Sequence, residues 1–157
     1  MTNRIVRQHH LRDRHTPRIA RSLVGKFIVA DGASGRRAYM ITEVEAYHGL
    51  QDKASHAHRG KTSRNAPMFG EPGVWYTYLV YGMHWMLNIV TGPAEYPAAV
   101  LIRGVSGISG PGKVAKALEI SSAHSGTRAL PEGMLWIEDR GVRIPASSIQ
   151  ATSRIGI

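Results

Sequence analysis

The chain contains no cysteine. That excludes disulfides, thiolate zinc sites, cysteine nucleophiles and cysteine-ligated iron–sulfur clusters, and it fits a reducing compartment. Long hydrophobic runs are missing as well. No stretch of about 18 apolar residues occurs, the length a helix needs to cross a bilayer. The N-terminus lacks an apolar signal core, and "LRDRH" mixes acid, base and histidine, so residues 1–15 read as a basic arm.

Acids are the scarce charge. Eleven Asp and Glu face twenty Lys and Arg, a net charge of +9, and fifteen of the twenty are arginine. Arginine's planar fork matches phosphate oxygens. A field of this sign favours a polyanion, and we place nucleic acid ahead of solubility, although ribosomal and membrane-surface proteins share the property. With 157 residues, 43% of them hydrophobic and 20% charged, the chain suits one globular domain with a sizeable core.

"TPRIARSLVG" predicts a short helix, with Thr16 at the N-cap, Pro17 at its first position and Gly25 as its stop. "KFIVA", the turn "DGASG" and "RAYMITEVEAY" predict a hairpin. The stretch from His48 to Gly73 has no apolar period and reads as a long loop, a kind that is functional or disordered in small domains. "VWYTYLVY", "HWMLNIV" and "AAVLIRGV" read as strands, "SGPGKVAKALEI" as a helix after Gly/Pro punctuation, and "GMLWIED" with "RGVRI" as a late hairpin. Hairpin-joined strands with few helices argue for one α+β domain over 1–157, with a curved, mostly antiparallel sheet flanked by helices.

Several residues carry chemistry. In "ITEVEAYHGL" strand alternation puts Glu43, Glu45 and Tyr47 on one face. Solvent is the plainer explanation, but apolar neighbours on both faces would bury at least one acid, and buried carboxylates are functional candidates. Pattern alone does not choose between Glu43 and Glu45. His56 and His58 are two apart and, with Glu45, raise a metal hydrolase. No downstream helix supplies a third ligand at metal spacing, so this reading ranks low. Tyr76 and Tyr78 share a face opposite Trp75 and Tyr81, as core residues do. Aromatics beside a basic loop also suit base stacking, and Tyr81 before Gly82 suits a wedge at a turn. Asn88 on an apolar strand and Arg103 ending "AAVLIR" need partners if buried. In the basic loop and in "GPGK", Arg64 and Lys113 are candidate phosphate contacts; the full P-loop spacing is absent.

In order, "ITEVEAYHG", "DKASHAHRGKTSRNAPMFGEPGVWYTYLVYGMHWMLNIV", "AAVLIRG", "GPGKVAKAL" and "SRIGI" resemble the single-domain alkyladenine (3-methyladenine) DNA glycosylase family, from about Ala20 onward. The resemblance implies a monofunctional enzyme that flips damaged purines out of duplex DNA and hydrolyses the N-glycosidic bond, without cofactor or metal. It implies a monomer located with the DNA, in a bacterial cytoplasm or a nucleus, and not on a membrane. It assigns Glu45 to water activation, Arg103 and the Ile155 carbonyl to holding that water, and Tyr47, His56 and Tyr78 to the walls around the base. Asn88 becomes the amide that clashes with the amine of normal guanine, and Tyr81 the residue that fills the vacated stack. It also implies some twenty-odd further residues, with Pro and Arg, past "RIGI", where this chain stops at Ile157. A catalytically silent DNA-binding protein that keeps the groove is the alternative.

Overall fold

The computed structural model describes residues 3–154. Its strands are β1 (Arg4–Ile5), β2 (Phe27–Gly32), β3 (Gly35–His48), β4 (Trp75–Val80), β5 (His84–Val90), β6 (Ala98–Val105), β7 (Ile108–Ser109) and β8 (Leu135–Asp139). Two α-helices accompany them, α1 (Thr16–Leu23) and α2 (Pro111–Ala117). The strands form one sheet in the order β1-β8-β2-β3-β6-β5-β4, with β7 against β6, and every pairing is antiparallel. This is the α+β architecture that the strand runs predict.

Valine, isoleucine, threonine and aromatics build β4 to β6, as expected where side chains pack on both faces of a pleat. Cross-strand rows sort the two faces. Trp75, Ile89, Val100 and Ala46 form one row. Tyr76, Asn88, Leu101 and Glu45 form the next, pointing to the opposite side. The first row joins the main core with Leu23 of α1 and Val114 and Leu118 of the α2 region. On the second side lies a smaller cluster, in which Tyr76, Val90 and Ala99 meet Ala57, Met68 and Phe69 of the long loop.

Two expectations are corrected. The α1 N-cap is His15, whose Nδ1 accepts the Arg18 amide at 3.1 Å, so Thr16 is the first helical residue and Pro17 the second. The late hairpin does not form, because β8 already has β1 on one edge and β2 on the other. Residues of "RGVRI" pack by side chain instead: a Cβ on Gly25 would sit 2.6 Å from Ile144 Cγ1. The basic stretch to residue 15 is tied down by β1 and by Val6 and Leu11, both in the main core. Ile155, expected to hold water through its carbonyl, lies outside the described residues.

Candidate active site

Glu45 sits on β3 with its side chain 4% exposed. A carboxylate so buried needs donors. Tyr47, two residues on and on the same face, donates its hydroxyl to Glu45 Oε1. Arg103 Nη1 lies 3.3 Å from Oε2. Each carboxylate oxygen thus has one partner and keeps a lone-pair direction for a water proton. Burial and the Glu45 carboxylate push the Tyr47 phenol well above its ordinary value, so it stays a donor.

Arg103 reaches this place through an irregularity. Ile41 pairs with Val105, Glu43 with Gly104 and Val44 with Ile102, so Thr42 on β3 and Arg103 on β6 are each left without a cross-strand partner. Such bulges re-aim a side chain. The guanidinium lies between two acids, with Nε 3.3 Å from Glu43 Oε1 and Nη1 toward Glu45.

On the far side of Tyr47 from Glu45 a cavity of about 50 Å³ opens, lined by Tyr47, His56, Met68, Tyr76, Tyr78 and Asn88 among others. The expected Tyr47, His56, Tyr78 and Asn88 are thereby brought together; Met68 and Tyr76 are additions. The His56 and Tyr78 ring centroids are 4.4 Å apart at 63°, an edge-on contact. Tyr76, 1% exposed, places its hydroxyl 3.1 Å from His56 Nδ1. Burial pushes the Tyr76 phenol up to about 12. Desolvation of the His56 ring, with the nearby Arg64 charge, lowers its pKa and favours neutral imidazole. Asn88 is buried and its Nδ2 donates to the Tyr76 carbonyl at 3.2 Å, which fixes which end of the amide faces the cavity.

The loop that carries His56 is organised by Asn65. Its Oδ1 accepts the Thr62 amide at 2.7 Å, and its Nδ2 donates to the carbonyls of His56 and Gly60, each at 3.1 Å. Two short 3-10 turns, His56–Arg59 and Ala66–Phe69, give the loop its shape. The H-x-H pair is split: His56 turns to Tyr76, while His58 Nδ1 lies 2.7 Å from the Leu50 carbonyl. No group of three His, Cys, Asp or Glu suited to a metal ion occurs among the described residues.

Asp52 and Arg154 were not singled out from sequence. Arg154 Nη1 lies 2.6 Å from Asp52 Oδ2 and 3.1 Å from the Ala46 carbonyl, and its guanidinium stands 5.1 Å from the Tyr47 ring centre. Burial alone would raise the Asp52 pKa, but Arg154 and the His48 and Ala54 amides outweigh it and hold the carboxyl below its ordinary range. The signal was an acid four residues past a strand end, too common to read alone.

At the hairpin between β4 and β5, Tyr81 protrudes, 91% exposed, and Met83 beside it is 74% exposed. Tyr81 has φ +52°, a conformation non-glycine residues rarely adopt. Arg64 is exposed near the same edge, its guanidinium 5.4 Å from the Tyr78 ring centre, and it donates to the Leu79 carbonyl at 3.3 Å. Lys113 is exposed in the first turn of α2. A small aromatic cavity, with the buried Glu45 joined to it through Tyr47 and an exposed tyrosine at the nearby hairpin, suits capture of one flat ring from a larger polymer.

The family model described as methylpurine-DNA glycosylase matches residues 10–109 and 106–157. A protein of Methanocella arvoryzae is 43% identical, covering 92% of this chain and 81% of that protein. One of Anaeromyxobacter dehalogenans is 47% identical over 80% of this chain and 64% of its own length. One of Rickettsia felis is 40% identical over 92% of this chain and 81% of its own. All three are named, provisionally, 3-methyladenine DNA glycosylase.

Proposed function

The chain belongs to the methylpurine-DNA glycosylase family, and from that premise we propose that it is a monofunctional DNA glycosylase acting on alkylated purines in duplex DNA. The observation that carries this reading is the buried Glu45, bonded by Arg103 and by Tyr47, which itself lines the aromatic cavity.

A stacked base is out of reach of any side chain, so the nucleotide must swing out. Tyr81 fills the space it leaves, and the extruded base enters between Tyr47, His56 and Tyr78. Electron-rich rings attract a cationic base, as 3-methyladenine and 7-methylguanine are. Neutral His56 supports this, since an imidazolium would repel such a base. Asn88 restricts the purines that fit.

A cationic purine leaves with the bonding electron pair and departs neutral, so it needs little acid help. Positive charge grows at C1′ as the N-glycosidic bond breaks. Water adds its oxygen there and gives a proton to Glu45, leaving free base and an abasic sugar. Glu45 also stabilises the developing cation. Arg103 orients the carboxylate and the water. Arg64 and Lys113 hold phosphates, and the excess positive charge brings the protein to DNA. Etheno and deaminated purines are neutral leaving groups that need protonation to depart, so they are expected to react more slowly.

The test is single-turnover base release from a duplex with one 3-methyladenine. Wild type releases the base, while Glu45→Gln binds the duplex with similar affinity and releases it about 10²–10⁴ times more slowly. A wild-type protein that binds yet frees no base, or a Glu45→Gln variant that excises at full speed, defeats the proposal.

A further inference from the structure

The mechanism above leaves Glu43 without a task, although its carboxylate shares Arg103 with Glu45. We propose that Glu43 is a positioning residue for the base-release reaction, acting through Arg103; this rests on the function proposed above. Three independent features of the fold converge on that arrangement.

The first is the double irregularity between β3 and β6, which frees Arg103 from the ladder and lets one guanidinium address both acids. A guanidinium held at two edges keeps its plane, whereas one held at a single edge can rotate. Glu43 holds the Nε edge and leaves Nη1 for Glu45. The second is Gly104. A Cβ there would lie 3.2 Å from Glu43 Cβ, 3.3 Å from Thr42 Oγ1 and 3.5 Å from Glu43 Oε2. The absence of a side chain at 104 therefore leaves Glu43 the space to lie toward Arg103. Gly104 does not have a positive φ, so backbone freedom does not explain the glycine.

The third is charge. Glu45 and Arg103 alone form a neutral pair beside a carbon that becomes positive in the reaction. With Glu43 the trio carries one net negative charge. Glu43 is exposed and Glu45 is buried. The trio therefore runs from solvent inward, with the cation in the middle. Glu43 satisfies part of the Arg103 charge from the solvent side, so less of the Glu45 charge is neutralised when C1′ needs it. Glu43 touches no reacting atom.

The test is a double-mutant cycle in single-turnover base release at saturating enzyme, with lesion-DNA affinity measured beside it. Glu43→Gln is expected to slow release about tenfold with affinity within about twofold, the size of one partly screened charge contact. Gly104→Ala, which crowds Glu43 off Arg103 without touching either acid chemically, is expected to slow release in the same direction. In an Arg103→Gln background neither change has a further effect, because the connecting group is gone. Melting curves of all variants exclude unfolding as the cause. An undiminished rate for Glu43→Gln, or an equal loss with and without Arg103, overturns the proposal. Both outcomes differ from failure of the glycosylase reading itself, which the Glu45→Gln variant reports separately.

Discussion

One hydroxyl separates Tyr76 from phenylalanine, and the fold uses it. The ring is buried in the small cluster and would pack equally well without oxygen. The oxygen meets His56 Nδ1 at 3.1 Å and fixes the orientation of a pocket wall that stands on a loop. Because burial lifts the phenol to about 12, the hydroxyl stays protonated and neutral at physiological pH. Tyr76→Phe is expected to cost about 1 kcal/mol through the lost bond. The chemical step is expected to survive, while affinity for lesion DNA falls a few-fold as His56 gains freedom. Denaturant midpoints and binding isotherms check both parts; a variant with unchanged affinity removes the orienting role.

The hairpin of β4 and β5 shows an element shaped against its own stability. The Met83 amide bonds the Val80 carbonyl at 3.1 Å, and both residues between them have positive φ, Tyr81 at +52° and Gly82 at +65°. Asn-Gly is the favoured pair for such turns, and tyrosine in the first place is strained. Tyr81→Asn is therefore expected to raise the unfolding free energy by up to about 1 kcal/mol, seen as a higher denaturant midpoint. The same change is expected to weaken excision from duplex DNA more than from a single strand, which needs no wedge. A lower midpoint, or equal losses on both substrates, contradicts this account.

At this scale the sequence was most informative. Runs of β-branched and aromatic residues between Gly and Pro breaks placed β2 to β6, and period-two alternation grouped Glu45 with Tyr47 and Tyr76 with Tyr78. Three things were hidden. β1 is two residues long, below what a pattern can carry, yet it occupies the edge that a late hairpin needed. The bulge that frees Arg103 depends on pairing between strands about 60 residues apart, which no local period records. Asn65 and Asp52 act through bonds to backbone, and a polar residue in a polar loop gives no hint of that. The site roles of Glu45 and Arg103 came from the family resemblance; alternation left Glu43 and Glu45 equivalent.

Across the whole molecule, the bond between Asp52 and Arg154 closes a span of 102 residues near the site. It joins the start of the long loop to the last described residue and seats the guanidinium over Tyr47. Asp52 is 3% exposed at its side chain and Arg154 29%, so the pair is only partly screened. Asp52→Asn is expected to cost about 2 kcal/mol at pH 7, since it leaves Arg154 without its carboxylate. The folded Asp52 carboxyl is held below its unfolded value. Its contribution is thus complete above the unfolded value of about 3.9 and is lost as pH falls through the folded one. The gap between wild type and variant should be full at pH 7 and narrow toward pH 3 in urea titrations. A gap that stays constant with pH assigns the cost to something other than this ionisation.

The two-sided sheet has one more consequence, for inheritance. Along β4, β5 and β6, positions 75, 87, 89, 100 and 102 hold the main core, while 76, 88, 99 and 101 turn toward the opposite side, where the cavity lies. Foldedness and the shape of the cavity are therefore written on alternate letters of the same three strands. A lineage can redraft one set while the other keeps the chain above its stability threshold.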